Sequence, residues 1–190
     1  MRAFLAVDIP DAARSALAAL QRELASAGAD VKWVAAEQLH LTLKFLGEIS
    51  DEQRRAAEAL LATVAREVVP FVVRLEGVGA FPSAGAPRVI WVGLAEGHEP
   101  LMRVATAIEQ GGAALSLPKE ERALTPHLTI GRVRSPRGRR ALSHRLQATR
   151  WPPPPPWHVT ALRCYQSVLS PTGPAYTVLA DIPLSGAGGA

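Results

Sequence analysis

Two short segments of this chain carry the same residue types at the same spacing. Residues 39–43 read Leu39-His40-Leu41-Thr42-Leu43, and residues 126–130 read Pro126-His127-Leu128-Thr129-Ile130. In a strand, side chains alternate between faces, so a His and a Thr two positions apart share one face, about 6.6 Å apart along the strand. The intervening leucines face a core. Imidazole has an ordinary pKa of about 6.5, so near neutrality one ring can act as base and another, protonated, as acid. A threonine hydroxyl donates to an anionic oxygen without changing charge. Two His and two Thr suit phosphoryl transfer without a metal: the base takes a proton from the nucleophile, the acid protonates the departing oxygen, and the hydroxyls hold the non-bridging oxygens. In-line displacement puts acid and base on opposite sides of phosphorus, which two strands facing each other across a cleft would satisfy.

Other readings of the reactive residues are weaker. Trp157-His158-Val159-Thr160 is a third His-x-Thr, but its flanks lack the Leu-Thr-Leu/Ile pattern, and it reads as a chance match. His98 and His144 fall in loop or helix and read as surface residues. A histidine metal site lacks a His-x-His or His-x₃-His spacing, and hydroxyls are poor zinc ligands. A serine nucleophile lacks its G-x-S-x-G turn, and Cys164 sits within an apolar strand.

The elements that must position the motifs can be read from the pattern. Residues 4–9 form a short strand, and Pro10 and Asp11 open an Ala-rich helix with Leu17, Leu20 and Leu24 on one stripe, ended by Gly28. Residues 31–35 are extended and 39–46 form a strand broken by Gly47. Ser50 or Asp51 caps a helix to about Glu67, with Leu60, Leu61, Val64 and Val68 as its apolar face. Strands at 71–78 and 88–94 are joined by the turn-rich FPSAGAP, a helix covers 99–114 and ends at Gly111-Gly112, and residues 127–134 are a strand. Residues 138–148 are helical, the five prolines 152–156 make a polyproline segment of about 16 Å, read as a rigid connector with a ligand for a proline-reading module as the alternative, and strands follow at 158–169 and 175–182. The expectation is one domain over 1–183 and a disordered tail over 184–190.

The chain has 190 residues, 48% of them apolar, enough to bury a sizeable core. No run approaches 18 uncharged apolar residues, which argues against a membrane span. The start, MRAFLAVDIP, places Asp8 in its apolar stretch and lacks a cleavage site, so no secretory signal is expected. The single Cys164 permits neither an internal disulfide nor a cysteine zinc site. A cytoplasmic location follows as the simplest expectation. The net charge is only +4, yet residues 1–121 hold twelve basic against sixteen acidic side chains, whereas residues 122–180 hold nine arginines and no acid. The asymmetry suggests a polyanionic partner, with an Arg-rich solvated surface as the plainer reading.

The doubled motif with its flanks, LHLTLKFLGEIS and LTPHLTIGRV, together with MRAFLAVDIP, FPSAGAPRVIWVGL and the closing Gly173-x-x-Tyr176, resembles the 2H phosphoesterase family. The nearest likeness is its bacterial RNA 2′,3′-cyclic phosphodiesterase branch, historically called 2′-5′ RNA ligase, over about residues 1–183. That resemblance implies an α+β fold of two pseudo-symmetric lobes of antiparallel β-sheet, with outer helices around a central cleft. It implies opening of a terminal 2′,3′-cyclic phosphate on RNA to a 2′-phosphomonoester, with no metal or organic cofactor. His40 would be the proton donor to the leaving 3′ oxygen, His127 the base that activates water, and Thr42 and Thr129 would hold the phosphate. Lys44 shares the His40 face by alternation and could reach phosphate, with solvation at a strand end as the equal alternative. Arg132 follows the second motif but points away by strict alternation, unless Gly131 allows a bulge. The cluster Arg134, Arg137, Arg139, Arg140, Arg145 and Arg150 is a candidate track for the RNA backbone. Phe4, Trp33, Phe81 and Tyr165 are candidates to stack on a base, with core packing as the competing role. The partner would be RNA with a cyclic phosphate end, such as tRNA fragments or oligonucleotides, and a monomer is expected. The competing classes are a module that binds RNA ends or nucleotides without turnover, and 2′-5′ ligation as the reverse reaction.

Overall fold

Hydrophobic alternation and helical stripes combine into two antiparallel sheets that share one core. The computed structural model describes residues 1–119, 125–170 and 173–187. In chain order the described residues form β1 (Arg2–Val7), α1 (Asp11–Ala25), β2 (Val31–Trp33), a 3₁₀ turn (Ala36–Gln38), β3 (Leu41–Glu48), α2 (Asp51–Glu67), β4 (Phe71–Ser83), β5 (Ala86–Glu96), α3 (His98–Ala114), β6 (Leu128–Val133), α4 (Arg139–Ala148), β7 (Trp157–Val159), β8 (Ala161–Ser170) and β9 (Gly173–Pro183). One sheet has the order β3-β1-β8-β9 and the other β2-β6-β5-β4-β7. The run β1-α1-β3-α2 is repeated as β5-α3-β6-α4, so β3 and β6, the two motif strands, occupy matching places beside β1 and β5. This is the expected α+β architecture of two pseudo-symmetric lobes. Among the described residues, no helix is long and apolar enough to cross a membrane.

Each helix that follows a central strand crosses to the opposite sheet: α1 packs against β6 and α3 against β3. Leu17, Leu20 and Leu24 of α1, Leu61 and Val64 of α2, Leu101, Val104 and Ile108 of α3, and Leu142 and Leu146 of α4 join one continuous buried cluster with both sheets. Ser50 starts α2 with a capping box, its hydroxyl accepting from Gln53 N while the Gln53 side chain accepts from Ser50 N. In the motif strands the alternating Leu41 and Leu128 are buried at 2% and 0% exposure. Each contributes about 1.5–3 kcal/mol by burial, and a one-residue slip would turn them to solvent.

Several boundaries differ from the sequence reading. FPSAGAP is mostly strand: β4 runs to Ser83, β5 starts at Ala86, and only Ala84-Gly85 turns. Gly111 and Gly112 lie inside α3, because a Cβ on Gly111 would come within 2.4 Å of Leu60; the glycine serves helix–helix approach rather than a stop. Gly47 sits within β3, at a bulge against β1. The expected strand over 158–169 is split at Thr160, so β7 pairs with β4 in one sheet and β8 with β1 in the other. The proline run leads from Trp151, whose indole donates to Ala16 O at 3.3 Å, to Trp157 at the start of β7. The tail is docked further than expected: Leu184 is buried, and Ser185 and Gly186 donate to Ala65 O and Val68 O. Residues 188–190 lie outside the described residues.

Candidate functional site

The two histidines immediately precede their strands and are held alike. His40 Nδ1 donates to Gln38 O at 2.7 Å, and His127 Nδ1 donates to Thr125 O at 2.6 Å. A carbonyl only accepts, so each bond places the hydrogen on Nδ1 and leaves Nε2 as the atom that takes or gives a proton. Thr42 and Thr129 follow two residues on, both half-buried. Directly paired residues share a sheet face, so Thr42 lies on the face of Ala6, and Thr129 on the face of Trp91.

Both strands then bulge one residue after the threonine. Between β1 and β3 the register shifts so that Ala6 pairs Thr42 and Leu5 pairs Lys44, leaving Leu43 unmatched. Between β5 and β6, Trp91 pairs Thr129 and Ile90 pairs Gly131, leaving Ile130 unmatched. A bulge reverses the alternation beyond it, and two expectations change. Lys44 turns to the core side, where it is 4% exposed and pairs with Glu109 of α3, so it does not reach toward the His40 face. Arg132 pairs Val89 and comes onto the Thr129 face, as a bulge near Gly131 would require. The equivalent position of the first motif, also five residues after the histidine, is Phe45, 57% exposed.

The surroundings of the two rings differ. His40 stacks on Phe4 at 4.6 Å and meets the edge of Tyr176 at 5.5 Å, with Tyr165 at 6.3 Å. Burial lowers its pKa below the ordinary histidine value, partly opposed by the Gln38 carbonyl and by Asp8. Burial raises the Tyr165 and Tyr176 phenols, and Arg132 partly opposes this at Tyr176. The guanidinium from the second motif strand thus acts on a ring that touches the first histidine. His127 is half-buried and packs edge-on against Phe81 at 5.2 Å. Phe81 rests on Trp91 at 5.3 Å, and Trp91 lies flat over Gly79, where a Cβ would approach the indole to 2.4 Å.

The segment before His40 is braced by charge. Asp8 pairs with both Arg14 and Arg163, and Arg14 Nη1 donates to Leu39 O at 3.1 Å as well as to Ala36 O. Gln38, whose carbonyl orients His40, donates its side-chain amide to Pro174 O of β9. Gln21 donates to Val34 O at 2.7 Å and to Ile130 O at 2.9 Å, and Val34 N also donates to Ile130 O, so the bulge carbonyl of the second motif is tied to the segment leading into the first. Sequence reading missed Arg14, Gln21 and Gln38; no local signal marks them, because the carbonyls they hold at the site are 13 to 136 residues away. Tyr176 had a signal only in the closing Gly-x-x-Tyr.

Other expectations fall elsewhere. Phe4 and Tyr165 pack on the His40 face, and Phe81 on the His127 face, whereas Trp33 packs against the core. The α4 arginines do not line the motif face, because Leu142 and Leu146 seat that helix in the core cluster with Ile90 and Ile130, on the other side of the sheet from Thr129. His158 lies on β7, separated from β6 by β5 and β4. Cys164 is buried, and burial pushes its thiol up to about 11, far from a reactive thiolate. Among the described residues, no three His, Cys, Asp or Glu side chains gather as a metal-binding group.

Comparison with known proteins places this geometry. The family described as LigT like Phosphoesterase matches residues 7–91. A Methanothermobacter thermautotrophicus protein named RNA 2′,3′-cyclic phosphodiesterase is 34% identical, covering 93% of this chain and 95% of its own. A Thermus thermophilus protein of the same name is 36% identical over 98% of this chain and 91% of its own. Among solved structures, one of a Thermus thermophilus protein superposes with a TM-score of 0.82 at 34% identity, covering 98% and 99% of the two chains. E. coli LigT complexed with 3′-AMP superposes with a TM-score of 0.77 at 26% identity, covering 97% and 98%.

Proposed function

This chain belongs to the LigT-like phosphoesterase family, and on that premise we propose that it hydrolyses 2′,3′-cyclic phosphate termini of RNA to 2′-phosphomonoesters. The observation that carries the reading is the pair of imidazoles, each with Nδ1 fixed by the carbonyl two residues upstream and Nε2 left for proton transfer. The relatives' shared name supports the substrate class.

In the proposed reaction, His127 Nε2 takes a proton from water as its oxygen bonds to phosphorus. The bond from phosphorus to the 3′ oxygen breaks, and His40 Nε2 gives that oxygen its proton. The product is a free 3′ hydroxyl and a 2′-phosphomonoester, and the rings reset by proton exchange with solvent. Thr42 and Thr129 donate to the non-bridging oxygens, and Arg132, turned onto the Thr129 face by the bulge, adds a charge-assisted donor. Burial favours the neutral form of His40 in the free protein. A phosphodiester anion beside it favours the imidazolium, so substrate binding itself supplies the acid.

The test is end-labelled RNA with a 2′,3′-cyclic phosphate, incubated with the protein in EDTA. The 2′-phosphomonoester is expected as the product. Binding without product would indicate an RNA-end binder, a 3′-phosphate would overturn the assigned leaving oxygen, and loss of activity in EDTA would overturn the metal-free mechanism.

A further inference from the structure

The third His-x-Thr segment is not used by this mechanism, yet it borders a cavity. The cavity, about 240 Å³, lies between the β1–α1 turn, contributing Asp8, Ile9 and Pro10, and the β7–β8 junction, contributing Trp157, His158 and Thr160, with Arg163 beside them. His158 pairs Val72 of β4. Following the pairing from Gly79 opposite Trp91, through Glu76 opposite Gly93, to Val72 puts His158 on the same sheet face as Trp91 and Thr129. The neighbouring Val159 is buried, so the imidazole and the Thr160 hydroxyl both turn outward.

We propose that this cavity is a second RNA subsite, holding a phosphodiester upstream of the cyclic end; it rests on the reading given above. Three observations support it. First, the cavity adjoins the catalytic site, since the charge of Asp8 acts on His40, and Arg163, paired with Asp8, donates to the Tyr165 hydroxyl at 3.4 Å. Second, its charged groups are satisfied among themselves: Asp8 takes Arg14 and Arg163, and Arg163 also pairs with Asp181 at 3.0 Å. Of the residues that line the cavity, Asp8 and Arg163 are one acid and one base, and their charges cancel. Third, hydrogen-bonding groups remain unpaired. Among the described residues no hydrogen bond involves the His158 ring or the Thr160 hydroxyl. An imidazole N–H and a hydroxyl are donors suited to phosphate and sugar oxygens, which position a strand without reading its sequence. A cyclic mononucleotide ends at the His40–His127 site; a longer strand has a phosphodiester left to place.

The experiment compares a 2′,3′-cyclic mononucleotide with a short oligoribonucleotide ending in the same cyclic phosphate, in the wild-type protein and in His158→Ala, Thr160→Val and the double variant. Both side chains are exposed, so unchanged melting temperatures are expected. For the double variant, kcat/KM on the oligomer should fall about tenfold, through KM, as two hydrogen bonds are lost, while the mononucleotide changes less than about twofold. Equal losses on both substrates, or none on either, would overturn the subsite. A wild-type protein that turns over neither substrate would instead overturn the catalytic reading. The subsite would then still be tested by binding of a labelled 2′-phosphorylated oligonucleotide, which the double variant should weaken about tenfold, an unchanged affinity overturning it.

Discussion

The two halves of the molecule hold the same proton carrier in different surroundings. Both motifs enter a strand beside its central neighbour, both fix Nδ1 on a carbonyl two residues back, and both bulge one residue past the threonine. The halves diverge in what covers the ring. Around His40 stand Phe4, Tyr165 and Tyr176, and burial depresses its pKa. Around His127, among the described residues, stands one aromatic contact, Phe81. Five residues past each histidine, the first half presents Phe45 and the second Arg132. A duplicated backbone geometry thus supplies two imidazoles held alike, and burial among aromatic rings sets His40 apart.

The largest effect should come from removing either ring. His40→Ala and His127→Ala are each expected to lower kcat/KM by about 10²–10⁴, and the double variant should fall well short of the product of the two losses, because the rings act in one step. Full additivity, measured under single-turnover conditions, would mean that they serve separate steps.

Next comes the contrast created by the bulges. Arg132→Ala should cost about 10–10² in kcat/KM, with partial recovery in Arg132→Lys. Lys44→Ala, at the strand position before Phe45 but facing α3, should leave kcat/KM within about threefold and instead lower stability by about 1–3 kcal/mol in urea unfolding, by leaving Glu109 without its lysine. The reverse pattern would show that the bulges do not set the facing of these side chains.

This contrast also marks how far the sequence could be read. The sharing of one face by His40 and Thr42, or by His127 and Thr129, follows from strand alternation alone, and so does the burial of Leu41 and Leu128. The bulges at Leu43 and Ile130 arise from pairing with β1 and β5, whose register no local pattern reveals, and they move Lys44 away from the site and Arg132 into it. The arginines of α4 looked like an RNA track because charge counts carry no direction; Leu142 and Leu146 decide which way that helix faces. The brace from Arg14 to Leu39 O and the Gln38 bond to Pro174 O are long-range contacts that become visible only in the fold.

The smallest expected effect lies in tuning. Because the His40 pKa is depressed in the folded protein, the unfolded chain takes up the extra proton first as pH falls below about 6.5, so stability declines through that window as pH decreases. Phe4→Leu opens the ring to water and should flatten this decline, measured as the urea midpoint between pH 7 and 5. An unchanged or steeper slope would mean that Phe4 packing is not what desolvates His40.

The most direct measurement of paired catalysis is the pH dependence of kcat/KM on a 2′,3′-cyclic phosphate for the wild-type protein, His40→Ala and His127→Ala. The wild type should give a bell, and the alkaline limb that remains in His127→Ala should lie below the ordinary histidine pKa, set by the acid His40. His40→Ala should lose the alkaline limb and His127→Ala the acid limb. A bell that survives intact in both variants would contradict the assignment of acid and base to these two rings.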